Sequence, residues 1–497
     1  MNNKYIISLD SGTTSVRTLI VDRLSNVKSI TQKEFTQYFP KPGWVEHDAN
    51  EIYAAQFSTL IQALQQKNLE IKDIVALAIT NQRETVVVWD KETGIPIYNA
   101  IVWQDRRTAK YCEELKKDQA LVEKIQNKTG LLLDPYFSGT KIKWILDNVE
   151  GARLKAEQGQ LLAGTIDTWL IWKLTEGKVH ATDYTNASRT LLFNIRTLQW
   201  DDELIDLFDI PKIMLPVVKN SADDFGTISV GMVNGIKISS AIGDQQAALF
   251  GHRRKPGELK GTYGTGAFLM LNTGDKIITS SNGLLTTIAI GLNNKVSYAL
   301  EGSIYIAGNA LKWLKEELHL IQEYEQIDYY LSGGNDTQGA IVVPYFVGVG
   351  APFWNSEVRG IITGLTRGVK RKHLIRATAQ SIAFQTKDIF SSFEKDYGEK
   401  IVKMSVDGGV ANSSELMQFQ ADILDTRLFL PKSSEITALG TAYLAGLWNG
   451  FWKDENELDQ LLEFKNIFYP LMTEKEQMRI YSKWQNAVKL ALEWKEV

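Results

Sequence analysis

An α/β chain built from two related halves is expected from three features of the 497 residues. Apolar, β-branched runs flank a Gly/Thr turn near the start, and similar runs flank a second Gly/Thr turn just past the midpoint. Long helical patterns separate shorter strand-like ones, which is the mixture that defines an α/β layer architecture. The order strand, Gly/Thr turn, strand, then helices occurs once in each half.

The elements follow in chain order. Tyr5–Leu9 and Val16–Val21 alternate around Asp10-Ser11-Gly12-Thr13-Thr14 and read as a hairpin. Ala49–Gln66 is helical with Asp48 as its N-cap, and Arg106–Lys128 reads as a second helix. Ile74–Thr80 and Thr85–Asp90 between them read as strands. Ile236–Ile242 is strand-like and runs into a short helix over Gln245–Gly251. The second hairpin spans Leu259–Leu271 around Gly261-Thr262-Tyr263-Gly264-Thr265-Gly266. A strand over Ala340–Val343, a helix over His373–Tyr397, a strand over Ile401–Asp407 and a helix over Ser413–Leu424 follow. Glu474–Val497 closes the chain as a charged helix. The basic, Pro-containing stretch His252–Gly257 is the expected linker, dividing the chain into domains at 1–251 and 252–497.

Composition bounds the function. At ~150 residues per domain the length suits three domains or two large ones. With 55 basic and 59 acidic side chains the net charge is −4, which gives no electrostatic grip on nucleic acid. The single cysteine, Cys112, excludes an internal disulfide and any CxxC site, and its helical setting suits packing better than reactivity. Met1–Asp10 lacks the sections of a signal peptide. The nearest approach to a membrane span, Ala340–Trp354, is broken by Pro344, Gly348, Gly350 and Pro352. A cytoplasmic protein without membrane insertion is expected.

Chemistry is suggested by six segments. In Asp10–Ser15 with Arg17, glycine lets backbone amides approach an anion, hydroxyls add donors, and Arg17 offers a charge-assisted contact. Asp10 would repel phosphate unless Mg2+ lay between them. Taken alone this is first of all an ordinary turn; the matching turn at Gly261–Gly266 changes the weighting, because two such hairpins can grip phosphates across a cleft. No GxxxxGK[ST] or GxGxxG fingerprint occurs. Asp407-Gly408-Gly409 lies between a strand and a helix, where backbone can approach a base and ribose. Asp244, at a strand end, suits a general base or a magnesium partner, although a helix cap is the plainer reading. Arg83 and Glu84 within Asn81–Thr85 pair a donor with an acceptor, as a small polyol requires, and Trp103 offers an aromatic wall. Their plainer readings are a surface ion pair and a core aromatic.

Together, these segments resemble the FGGY carbohydrate kinases along nearly the whole chain. The resemblance is carried in order by Asp10–Ser15, Trp44–Asp48, Asn81–Thr85, Trp103–Arg107, Tyr136–Asn148 (with Lys141 and Trp144 in register), Gly164–Leu170, Thr182–Arg189, Gly243–Gly251, Gly261–Gly266 and Asp407–Gly409. It implies an actin-like ATPase fold, two ribonuclease H-like domains flanking a cleft. It further implies phosphoryl transfer from ATP with Mg2+, and the Asn81–Thr85 and Gly243–Gln246 segments favour glycerol over larger sugars as acceptor. By the same resemblance Arg83, Glu84, Trp103, Tyr136, Asp244, Gln245 and Phe268 form the acceptor pocket, with Asp244 the general base. Thr13, Thr14, Ser15, Arg17, Thr265, Gly308 and Gly409 contact nucleotide, and Asp10 and Asp244 lie near magnesium. Lys312 and Ser413 (or Asn412) occupy the adenine-side positions where the family usually has Gln and Asn. A homodimer or homotetramer is implied. Phe225–Ile238 lacks both the Gly-Arg loop of relatives that bind fructose bisphosphate and a histidine for a phosphocarrier. A sister kinase for another polyol or ketose is the first alternative, and a non-kinase actin-like ATPase the remote one.

Overall fold

The computed structural model describes residues 4–494. Its frame is two mixed sheets with the same internal plan. In the first, Tyr5–Ser11 pairs antiparallel with Ser15–Val21, which pairs with Val27–Glu34. On its other edge Tyr5–Ser11 runs parallel to Ile74–Asn81, and that strand runs parallel to Ile238–Gly243. In the second, Leu259–Tyr263 pairs antiparallel with Ala267–Gly274, followed by Lys295–Ile304 and Leu285–Leu292. Its other edge is parallel to Lys403–Asp407, then Arg427–Pro431, with Phe464–Phe468 added antiparallel. Each sheet is thus a set of antiparallel strands joined to parallel strands through its first strand. That repeat is the paired ribonuclease H-like plan of the actin-like fold. A third, four-stranded sheet is formed by Glu46–His47, Ala100–Ile101, Val86–Asp90 and Leu161–Thr165.

Local chemistry explains the elements that the sequence foretold. Asp48 caps helix Ala49–Gln66, its carboxylate accepting from Asn50 N at 2.8 Å. Ile52, Ala55, Leu60 and Ala63 recur at helical spacing on that helix and bury against Ile7, Leu9 and Ile20 of the first sheet. The predicted Arg106–Lys128 helix is instead two, Ala109–Leu115 and Gln119–Thr129. Asp118 causes the break, because its carboxylate accepts from Leu121 N at 3.1 Å and so starts a new helix rather than continuing the old one. The predicted linker is also firmer than its composition suggested. His252 is fully buried, Arg253 pairs with Asp459 at 2.8 Å, and Arg254 pairs with Glu258 at 3.2 Å.

One short helix ties the frame together. Asp244–Gly251 follows the last strand of the first sheet, and its Leu249 packs among Met270, Ala289 and Ala299 of the second. Its other side meets helix Ile436–Trp448, which returns from late in the chain to cover Ile6, Val21, Ala76 and Ala78 of the first sheet. The two helices approach closely enough to require glycine. A Cβ on Gly440 would lie 2.0 Å from the Ala247 carbonyl oxygen, and one on Gly251 would lie 2.3 Å from that of Ile436. Among the described residues no helix is long and apolar enough to cross a membrane.

Candidate active site

Strand register brings the first group of predicted residues together. Asp10 lies opposite Thr80, Ser11 opposite Asn81, and Gly243 opposite Asn81. Asp10, the Asn81–Thr85 turn and Asp244 therefore emerge side by side at the carboxyl ends of three parallel strands, the usual place for a site in an open α/β sheet. Gly243 leaves room for Arg83, since a Cβ there would sit 2.7 Å from the Arg83 Cδ. Arg83 Nε lies 3.3 Å from an Asp244 carboxylate oxygen. Glu84 has a left-handed backbone (φ 62°), a conformation a residue with a side chain adopts only when its surroundings hold it there. Its carbonyl accepts from Ser138 Oγ at 3.1 Å.

Aromatic rings close the acceptor side. The Trp103 ring lies edge-on to Tyr136 at 5.6 Å and to Phe268 at 6.1 Å between centroids. Phe268 comes from the second sheet, so this wall spans both halves. Trp103 Nε1 also donates to Thr13 Oγ1 at 3.0 Å, which fastens the wall to the first Gly/Thr turn. Gln245 is buried, and its side-chain oxygen accepts from Lys260. Lys141 supports the pocket from behind, donating to the Tyr136 carbonyl at 2.5 Å.

The two glycine turns are both open. Gly12 N donates to Ser15 O at 3.0 Å, and Thr14 is exposed. In the second turn Gly264 N donates to Gly266 O at 2.9 Å, leaving Thr265 exposed. Gly308 N donates to Gly264 O at 3.0 Å, and a Cβ on Gly408 would strike the Tyr263 carbonyl at 2.3 Å. Thr265, Gly308 and the Gly408-Gly409 corner therefore form one surface, and a Cβ on Gly409 would meet nothing. Three expected nucleotide contacts are engaged elsewhere. Arg17 pairs with Glu435 at 3.2 Å, and Lys312, largely exposed, lies 3.5 Å from Glu316 on its own helix. The Ser413 hydroxyl caps the next helix through Leu416 N at 3.2 Å and donates to Asp328, whereas its neighbour Asn412 is exposed.

Charge is unevenly distributed over the site. Burial raises the Asp10 carboxyl to about 7, with Arg17 opposing and Asp244 adding repulsion. Burial likewise raises Asp244 against the pull of Arg83 and Lys260. Lys260 is lowered to about 8 by burial, although Asp407 and Asp244 act against that shift. The first parallel strand of the second sheet, Lys403–Asp407, ends in Asp407, whose carboxylate meets His252. Sequence reasoning missed Lys260, Asp407 as a buried charge, Glu301 and Arg189. The available signals were a lysine inside the second hairpin, a glutamate within the apolar strand Lys295–Ile304, and an arginine closing Thr182–Arg189.

Similarity to known proteins agrees with this geometry. Residues 5–251 match the N-terminal domain, and residues 259–448 the C-terminal domain, of the FGGY family of carbohydrate kinases. The chain belongs to that family. It is 53% identical to a glycerol kinase of Klebsiella pneumoniae over 498 aligned residues, covering 100% of this chain and 99% of that one. It is also 53% identical to a glycerol kinase of Fusobacterium nucleatum, covering 99% of this chain and 100% of the relative. Among solved structures, Plasmodium falciparum glycerol kinase with ADP superposes with a TM-score of 0.93 at 36% identity, covering 99% of each chain. A xylulose kinase from Lactobacillus acidophilus shares the fold, with a TM-score of 0.88 at 22% identity over 98% of this chain and 97% of that one.

Proposed function

We propose that this chain phosphorylates glycerol from ATP, giving sn-glycerol 3-phosphate and ADP, with residues 1–251 and 252–497 as the two lobes of the cleft. The observation that carries the reading is the acceptor pocket. Arg83, Glu84 and Asp244 converge beneath a wall of Trp103, Tyr136 and Phe268, beside the Asp10–Ser15 turn. Charged and polar groups along one side satisfy hydroxyls, while rings cover a short carbon edge.

In the transfer, a terminal hydroxyl oxygen of glycerol bonds to the γ-phosphorus as the bond from that phosphorus to the β-bridging oxygen breaks. Asp244 accepts the hydroxyl proton as this happens. Arg83 and Glu84 orient the remaining hydroxyls, and the gain is chiefly positional and electrostatic. Thr13, Thr14 and Ser15 on one turn, and Thr265 with Gly308 and Gly409 on the other surface, suit the phosphates and the nucleoside. Of Lys312 and Ser413, the first would exchange its exposed contact with Glu316 for adenine; for the second, the exposed Asn412 is the better contact.

Asp10 and Asp244 fit Mg2+. No hydrogen-bond donor among the described residues reaches the Asp10 carboxylate, where burial and repulsion from Asp244 outweigh the pull of Arg17, and at Asp244 burial outweighs the pull of Arg83 and Lys260. One or two carboxylates completed by phosphate oxygens and water is the donor set that Mg2+ prefers. Bound there, the ion neutralises charge on the transferring phosphates. The reading extends to a cytoplasmic homodimer or homotetramer, checked by light scattering of the purified protein.

The test is ADP release with magnesium-ATP, with and without glycerol, and with xylulose and erythritol in parallel. Glycerol-dependent release matched by glycerol 3-phosphate is the expected result. Release that follows another polyol would move the assignment to a sister kinase, and release indifferent to every acceptor would remove the kinase reading.

A further inference from the structure

Behind the acceptor pocket lies a closed set of buried charges drawn from both lobes. Glu301, on strand Lys295–Ile304 of the second sheet, accepts from Arg83 Nη1 at 2.6 Å and from Arg83 Nη2 at 3.0 Å. The other lobe supplies a second arginine to the same carboxylate, Arg189 Nη2 donating at 3.0 Å. Arg189 also donates through Nε to Glu84 at 2.6 Å. All four side chains are at most 2% exposed.

We propose that Glu301 and Arg189 are the positioning residues for acceptor recognition: Glu301 orients Arg83 directly, and Arg189, fixed by Glu301, orients Glu84. The proposal rests on the acceptor reading of Arg83 and Glu84 given above. Its physical basis is that a guanidinium gripped through two nitrogens has one orientation, and a carboxylate gripped from one side presents its other lone pairs in one direction. Neither Arg83 nor Glu84 would hold its pose alone in a buried site. Burial by itself would raise the Glu301 carboxyl, but Arg189 and then Arg83 more than reverse this and hold it at about 2. Glu301 is therefore an anion across the working pH range, whereas burial raises the Glu84 carboxyl against the pull of Arg189 and Arg83.

The clamp also crosses the cleft. Two neutral contacts accompany it, Ser188 Oγ with Thr287 Oγ1 at 3.1 Å and Gln246 Nε2 donating to Ile288 O at 3.2 Å. Acceptor recognition, whose first-lobe residues precede residue 252, thus depends on a carboxylate supplied by the second lobe.

The test uses E301Q and R189K in the full chain, with KM for glycerol, KM for ATP, kcat and thermal midpoint measured for each. Glutamine keeps the shape of Glu301 but accepts from only one oxygen, and lysine's compact ammonium cannot reproduce the separate Nε and Nη2 grips of the planar guanidinium on Glu84 and Glu301. The expected result is a rise of at least tenfold in KM for glycerol, with KM for ATP within twofold of the parent. Propane-1,2-diol and propane-1,3-diol supply the second readout. The R189K penalty on kcat/KM should shrink at least threefold for whichever diol lacks the hydroxyl that Glu84 receives. An unchanged glycerol KM in both variants overturns the proposal. So does a parallel rise in both KM values with an equal penalty on every acceptor, because that marks general loss of structure. If E301Q does not fold, R189K decides alone by the same two readouts. Should the parent prefer another polyol, glycerol phosphorylation fails as the function while the clamp is tested on that acceptor.

Discussion

Asp388 offers a prediction whose size follows from geometry. It lies on the long helix Arg371–Tyr397 and receives two donors from the C-terminal helix Glu474–Glu493, Tyr481 Oη at 2.6 Å and Trp484 Nε1 at 2.8 Å. Among the described residues no cation faces it, and burial outweighs both donors, raising the carboxyl from 3.8 to about 7. The folded state therefore holds this proton more tightly than the unfolded chain. Its contribution to stability is full below pH 4 and is lost as pH rises toward 7. A shift of about three units corresponds to roughly 4 kcal/mol as an upper bound. Asp388→Asn removes the ionisation. The amide accepts from Trp484 and donates to Tyr481, at a cost of about 1 kcal/mol from imperfect geometry. Thermal midpoints of parent and variant between pH 5 and pH 8, with hydrogen exchange in Glu474–Glu493, provide the assay. The difference between the proteins cancels other titrating groups. The variant should be equal or slightly weaker at pH 5 and clearly more stable at pH 8, with slower exchange in the terminal helix. A parent that gains on the variant as pH rises would falsify the reasoning, since it would mean that Tyr481 and Trp484 stabilise the carboxylate more than burial penalises it.

Three further outcomes are expected. Asp244→Asn keeps the side chain's size and should lower kcat by about 10²–10⁴-fold, the range for loss of a general base, with a small change in glycerol KM; steady-state kinetics check this. Trp103→Phe retains most of the ring wall but loses the bond to Thr13, so KM for ATP should rise about fivefold, the equivalent of about 1 kcal/mol, whereas Trp103→Ala should also raise KM for glycerol; substrate titrations separate the two effects. Gly440→Ala places a methyl 2.0 Å from the Ala247 carbonyl oxygen and should cost about 1–3 kcal/mol or more, read as a lower thermal midpoint together with reduced kcat.

Much of the frame was legible because local rules decide it. The hairpin at Asp10–Thr14 and the capped helix after Asp48 depend on neighbours in sequence, and both formed as expected. The break at Asp118 was missed because an acidic residue within an apolar 3.6 period reads as a solvated position until its carboxylate is seen accepting from Leu121 N. His252 and the two arginines after it read as a solvated turn because their partners, Asp407, Asp459 and Glu258, are contributed mostly by distant chain. In the site, Arg83, Glu84 and Asp244 read first as a surface ion pair and a helix cap, and it was the resemblance that drew them into one expected pocket. Glu301 was not singled out, because its place within an apolar strand was its one local signal and its partners lie more than a hundred residues away. The same limit hid the pairing of Arg17 with Glu435.

The glycine-sealed contact between helices Asp244–Gly251 and Ile436–Trp448 has a mechanical consequence. The first of these helices touches both sheets, so it is the natural axle for any swing of one lobe against the other. Points near an axle travel least. Asp244 heads that helix, whereas the glycine turns at Thr14 and Thr265 belong to the hairpins of the separate sheets. A rotation of the lobes would sweep those turns through a long arc while barely moving Asp244. On the proposed reading, the turns assigned to nucleotide would part for exchange while the assigned base, Asp244, keeps its place.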